Sequence, residues 1–148
     1  MPAPRIAELA DALATALSVE FSGSFTASRS WQPVYDLEQL NALRVSVVPR
    51  SRASTRVARN RDQHDHTIDV TFQQAVNETT LESDVDTLAE LVQQVADFLA
   101  RQHLTVSGQR HPPMSITVDP VCAVEDLDGM RLFGSVVTCV YREWRDAA

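Results

Sequence analysis

The longest periodic stretch of the chain runs from Leu81 to Leu104, and it constrains everything around it. Leu81, Val85, Leu88, Leu91, Val92, Val95, Phe98 and Leu99 recur at three- and four-residue spacing, with Asp84, Asp86, Glu90, Gln93, Gln94, Asp97 and Arg101 on the other side. This is the pattern of one long amphipathic helix. Ser83 is the expected N-cap, Asp86 stands where a capping-box acid belongs, and Asp84 adds negative charge near the positive helix end; Arg101 and His103 suit the other end. Burying each large side chain of such a stripe is worth roughly 1.5–3 kcal/mol, so the helix requires a broad apolar surface to lie on.

The flanking sequence supplies a sheet. Pro4 can open a first helix, in which Ile6, Leu9, Ala10, Leu13, Ala16 and Leu17 form an apolar face running to about Val19. Gly23 breaks that pattern. Phe25, Ala27, Arg29 and Trp31 then fall on one side of a strand that Pro33 ends. A helical turn over residues 36–40 leads to a second strand, residues 44–49, around Val45 and Val47. Residues 67–73 alternate strictly, with Ile68, Val70 and Phe72 on one face. Residues 50–66 between them show neither period and read as a long exposed hairpin loop, uncommon in a compact domain unless functional. After the long helix, residues 107–113 read as a turn-rich connection and Met114, Ile116 and Val118 as a fourth strand. Glu125, Asp126, Asp128 and Gly129 read as a polar connection, and Leu132–Trp144 as a long final strand with both faces at least partly covered.

The order helix, three strands, helix, two strands fits an α+β two-layer sandwich: an antiparallel or mixed sheet of about five strands with two main helices on one face. A length of 148 residues with 44% hydrophobic content suits a single domain, residues 1–148, and no internal repeat or linker divides it. No apolar run approaches a membrane span, and residues 1–5 lack the pattern of a secretory signal, which leads us to expect residence in a cytoplasm and no membrane partner.

Known chemical signatures are sparse. Gly23, Gly108, Gly129 and Gly134 are too far apart for a phosphate loop or dinucleotide fingerprint, and no nucleophile elbow or cysteine signature is present. His64 and His66, flanked by Asp62 and Asp65, form the one metal-like cluster; polar side chains at a solvated loop end explain it as well. His103 and His111 need only exposure or the pull of a helix end. Helix capping and turn formation account for Asp84 with Asp86 and for the 125–128 acids. Trp31, Tyr35, Tyr141 and Trp144 read as core or interface anchors. Cys122 and Cys139 match neither a zinc pattern nor a disulfide framework and read as free buried thiols. The expectation is a chain that is not an enzyme and uses no metal or cofactor.

All thirteen basic side chains are arginine, which either a GC-rich coding sequence or selection for bidentate guanidinium contacts would produce. Five of them, Arg50, Arg52, Arg56, Arg59 and Arg61, fall in the 50–66 stretch, although the net charge is −7. They could reach phosphates, line a passage, form a solvated hairpin tip, or find the acidic body of another copy.

Over most of its length the chain resembles the tail-terminator, or tail-completion, proteins of long-tailed bacteriophages and related small neck proteins. The likeness rests on the opening helix, the Val45–Pro49 strand, the extended hairpin, the helix bearing Leu88, Leu91, Val95 and Leu99, the Ile116–Pro120 strand, and the closing Phe133–Arg142 segment. It implies a structural virion protein, assembled in the host cytoplasm, whose hexameric ring caps the tail tube and joins it to the head-side connector or stopper protein. The five arginines would then meet neighbouring subunits, the preferred role, or make passing contact with genomic DNA. A head-completion or stopper protein of the neck is the near alternative. A small nucleic-acid-binding module using the arginine stretch is the alternative from another class.

Overall fold

The fold was obtained as a computed structural model, which describes residues 4–32 and 37–146. Helix α1 (Arg5–Glu20) follows Pro4, and its buried stripe of Ala7, Leu9, Ala10, Leu13, Ala14 and Leu17 stops short of Val19, which is exposed. Strand β1 (Ala27–Arg29) is only three residues long. It is pinned to α1 because the Ser18 hydroxyl donates to the Ala27 carbonyl and accepts from the Ala27 N–H, at 3.1 and 3.0 Å. The expected strand is therefore cut back at both ends, and Trp31 beyond it is exposed. Pro33, Tyr35 and Asp36 lie outside the described residues; a 3-10 turn follows over Leu37–Asn41.

Strands β2 (Arg44–Ala58) and β3 (Arg61–Ala75) correct the sequence reading most. Residues 50–66 are not a loop: the two strands pair from Arg44 opposite Gln73 out to Ala58 opposite Arg61, leaving only residues 59 and 60 to turn. The cause of the misreading is physical. Pairing satisfies backbone groups whatever the side chains are, so a strand with arginine, serine and threonine on both sides shows no hydrophobic alternation. A register shift between Pro49 and Ser51 also breaks the period midway.

Helix α2 (Leu81–Leu99) is entered through a 3-10 turn (Glu78–Thr80), so it starts two residues before Ser83. Ser83 is thus not the N-cap. The Asn77 carboxamide accepts from the Thr79 N–H at 3.0 Å, and Thr80 donates to the Asp84 carboxylate at 2.8 Å, while Asp86 is too far along to act as a capping-box acid. The helix ends at Leu99, and Arg101 and His103 lie beyond it. The 107–113 connection instead holds the turn and second strand of a hairpin formed by β4 (Leu104–Val106) and β5 (Gln109–His111). Its turn residues Ser107 and Gly108 have φ of 52° and 78°, the left-handed pair a two-residue hairpin requires.

Strand β6 (Pro113–Val118) follows, and the acidic 125–128 segment is a helical element, α3 (Val124–Met130), rather than a connection. Gly134 lies under it: a Cβ there would come within 3.1 Å of the Asp126 carboxylate and 3.7 Å of Ala123. The last strand, β7 (Leu132–Asp146), spans the molecule.

The sheet is mixed, in the order β1-β2-β3-β7-β6. β1 runs parallel to β2 and the other pairings are antiparallel. Val45 and Val47 (β2), Ile68, Val70 and Phe72 (β3), and Phe133, Val137 and Cys139 (β7) face the stripes of α1 and α2, including Leu9, Leu13, Leu17, Val92, Val95 and Leu99, in one apolar core. The chain is an α+β two-layer sandwich with its two long helices on one face of a five-stranded sheet. Among the described residues no helix is long and apolar enough to cross a membrane.

Candidate functional site

Beyond Pro49 and Ile68 the three long strands run on together as a blade, with β2 at its edge, β3 in the middle, and β7 pairing β3 as far as Asp146 opposite Arg61. Residues 50–61 are exposed. In the β3 half, by contrast, His64 and His66 are 7% and 0% exposed, which overturns the reading of them as a solvated loop end.

The five arginines do not form a single cluster. Arg50, next to the register shift, points to Asp69 at 3.6 Å, and Asp69 also accepts from Thr138 at 2.9 Å. Arg52 and Arg56 lie opposite His66 and Asp62 in the register, Arg56 being 3.9 Å from the Asp62 carboxylate. Arg59 is in the turn, and the Arg61 guanidinium stacks 5.7 Å from the centre of the half-exposed Trp144 ring. Arg52 and Arg59 make no ion pair among the described residues. Exposed pairs of this kind contribute about 0–1 kcal/mol each, so the guanidinium groups are not there to hold the blade together. That work falls to backbone pairing and to Arg142, which donates to both Asp65 oxygens at 2.9 and 3.3 Å.

Under the blade, on its helix side, lies a polar knot that sequence reading missed. Glu143, 3% exposed, accepts from His66 Nε2 at 3.2 Å and from Arg145 at 3.3 Å, and lies 3.2 Å from the Arg5 guanidinium at the start of α1. His111 of β5, 1% exposed, stands beside it, and Ser54 and His64 are hydrogen-bonded across the strands at 2.7 Å. Burial pushes the Glu143 carboxyl up, but His66, Arg145 and Arg5 outweigh burial and hold it below the usual carboxylate range. Desolvation lowers His66 below its ordinary value despite the Glu143 bond, and lowers His111 despite the nearby Arg142 backbone. Both shifts favour the neutral imidazole, and His66 Nδ1 is buried with no hydrogen-bond partner among the described residues.

A shallow cleft of about 250 Å³ opens beside the knot, lined by Arg61, Gln109, Arg110, His111, Glu143 and Trp144. Ser54 against His64 is the Ser–His juxtaposition the sequence motifs did not contain. No carboxylate bonds the other ring nitrogen of His64 among the described residues, so the third member of a catalytic triad is not in place. Asp62, His64, Asp65 and His66 do not converge either. Strand alternation puts the histidines on the helix side and turns Asp65 to the opposite face, where Arg142 holds it, and no group of three or more such side chains among the described residues is placed to hold a metal ion. Cys139 is buried and free, its thiol pushed up to about 12 by burial; Cys122 is free and only half-buried.

The alternation of β7 signals part of this knot, since Tyr141 and Glu143 continue the inward positions of Val137 and Cys139. Only the tertiary fold supplies Arg5 and His111. No family model and no curated protein matches the chain. One solved structure, 13% identical, aligns over 92% of this chain and 90% of its own length with a TM-score of 0.44, a likeness too slight to argue from.

Proposed function

We propose that this chain is a structural assembly protein of the phage tail-terminator type, which works by forming a closed ring of identical copies and carries out no chemistry of its own. In that role the ring, expected to be hexameric, sits in the virion neck between the tail tube protein and the head-side connector or stopper. The observation that carries the reading is the free outer half of β2: from Arg50 to Ala58 every residue is exposed, and the strand has β3 on one side and no sheet partner on the other among the described residues. A long unpaired strand edge is a template for another chain, and protein surfaces leave one uncovered where it is used or defended. Here it carries arginine on a chain whose net charge is −7, which favours copies meeting head to tail.

Light scattering coupled to size-exclusion chromatography, followed by imaging of the purified oligomer, tests the reading. A ring of defined copy number supports it. A protein that stays monomeric up to high micromolar concentration removes it.

One observation favours a second reading, a nucleic-acid-binding module: Arg52 and Arg59 are exposed, have no ion-pair partner among the described residues, and are open to phosphates. Duplex affinity that falls steeply with salt and is lost on Arg→Ala changes at 52 and 59 would support it, and no binding at low salt would eliminate it.

A further inference from the structure

Two surfaces of this chain carry exposed charge that is only weakly answered among the described residues, Arg56 by Asp62 at 3.9 Å and Arg59 by no ion pair. The first is the blade edge just described. The second is the outer face of α2, whose nineteen residues include Glu82, Asp84, Asp86, Glu90 and Asp97 and no basic residue. Glu82, Asp86 and Glu90 follow one another at four-residue spacing, so like charges stand side by side on the helix, an arrangement that destabilises it. None of Glu82, Asp86, Glu90 and Asp97 forms an ion pair among the described residues, and all four are exposed. Beside this stripe, between α2 and β6, runs a groove of about 510 Å³ whose lining combines the apolar Val92, Ala96, Val118 and Val121 with the acidic Asp86, Glu90 and Asp97. Val121 is 53% exposed.

We propose that this groove receives the arginine-bearing edge of β2 from a second copy of the chain, with Val57 seated against the apolar lining and Arg56 and Arg59 against its acids. The inference rests on the assembly reading and adds where the copies touch. Val57 is 49% exposed and lies between those two arginines in the sequence, at the register shift just before the turn, so the blade tip combines an apolar side chain with cations where the groove combines apolar side chains with acids. Topology makes the contact intermolecular. In the order β1-β2-β3-β7-β6 two strands separate β2 from β6, so the tip cannot fold back onto its own groove. Each copy thus offers one tip and one groove on opposite edges of its sheet, a heterologous contact that propagates until rotation closes it into a ring. Nucleic acid on the arginines would leave the acidic groove unexplained.

The test uses the full chain with Cys122→Ser; Cys139 is buried and its thiol is held up to about 12, so it stays unreactive. Val57→Cys and Val121→Cys together, treated with a short bismaleimide, should give a ladder of covalent multimers, whereas each single variant gives none and a mixture of the two singles gives dimers only. Oligomers by light scattering without a ladder overturn the tip-in-groove contact and leave the assembly reading standing. Monomers throughout overturn both. As a second measurement, Asp86→Arg with Glu90→Arg should weaken association at least tenfold, and adding Arg56→Glu with Arg59→Glu should restore it. If circular dichroism shows all these variants folded and the combined charge swap does not restore association, the contact is refuted.

Discussion

Strands β2, β3 and β7 run the length of the molecule, and their two ends are built on opposite principles with one register. At the inner end the helix-facing positions are Val45, Val47, Ile68, Val70, Phe72, Phe133, Val137 and Cys139, all buried in a dry core. Beyond Tyr141, which still belongs to the core, the same positions carry on as Arg52, Ser54, His64, His66 and Glu143, where α1 contributes the guanidinium of Arg5 and the β4–β5 hairpin contributes His111. The inner end is stabilised by removing apolar surface from water, which is non-directional. The outer end depends on directional polar pairs, Glu143 with His66, Arg145 and Arg5 and Ser54 with His64, and it leaves buried atoms such as His66 Nδ1 without a partner among the described residues. A sheet can therefore extend beyond its apolar core if hydrogen-bonded pairs replace packing on one face and the other strand edge is left to solvent or to a partner.

The contrast can be broken by measurement. Phe72→Ala should give the largest loss, about 3–5 kcal/mol in urea unfolding, since a fully buried ring leaves both its transfer energy and a cavity behind. A loss below about 1 kcal/mol would mean the inner core is not dry and close-packed. Next in size is Glu143→Ala, expected to cost about 3 kcal/mol because Arg5 and His66 then face one another in a buried site without the carboxylate that pairs them. A near-neutral result would show that the knot relaxes into water.

The pH dependence follows in magnitude. His66 and His111 have folded-state values below the ordinary 6.5, so across that interval the unfolded chain binds more protons than the native one. Their stabilising contribution is complete above about pH 6.5 and is lost as pH falls through the lowered folded values, at most about 1.4 kcal/mol per pH unit for each histidine. Glu143, also lowered, adds a loss of the same sign further into acid. Urea midpoints measured from pH 7.5 to 5 should fall steadily, and His66→Phe with His111→Phe should flatten the curve; an unchanged slope in that double variant would assign the acid sensitivity elsewhere. Smallest of all, Arg52→Ala or Arg59→Ala should shift stability by no more than about 0.5 kcal/mol, since neither side chain has an ion-pair partner among the described residues. A larger shift would mean that the blade edge supports the fold itself.

Much of the inner end is legible from the chain alone. Leu88, Val92, Val95 and Leu99 announce α2, Ile68, Val70 and Phe72 announce β3, and the α+β two-layer arrangement follows because each apolar face needs the other. The reading loses its grip where the helix-facing positions turn polar. Residues 50–66, taken as a loop, are two paired half-strands, since hydrophobic alternation reports burial in an apolar core and not backbone pairing as such. The short elements escape for a related reason: α3 and the β4–β5 hairpin have too few residues to establish a period, and tertiary contacts place them, Asp126 lying close to Gly134 and Leu104 and Val106 entering the core. The five candidate arginines share one strand-turn-strand segment, but strand alternation and the register shift divide them between faces, sending Arg50 toward Asp69 and Arg52 toward His66.

The sequence by itself determined that two apolar helix faces and a set of alternating strands must close on one core, because hydrophobic burial depends on local periodicity and needs no specific partner. Only the tertiary structure decided that Glu143 meets Arg5 from far along the chain, that His66 and His111 are shut away from solvent, and that the arginine edge and the acidic groove lie at opposite margins of the sheet. Electrostatic and hydrogen-bonded pairing is directional and short-ranged, so its outcome is set by which distant residues the chain trace brings within about 3 Å, a quantity that no local pattern encodes.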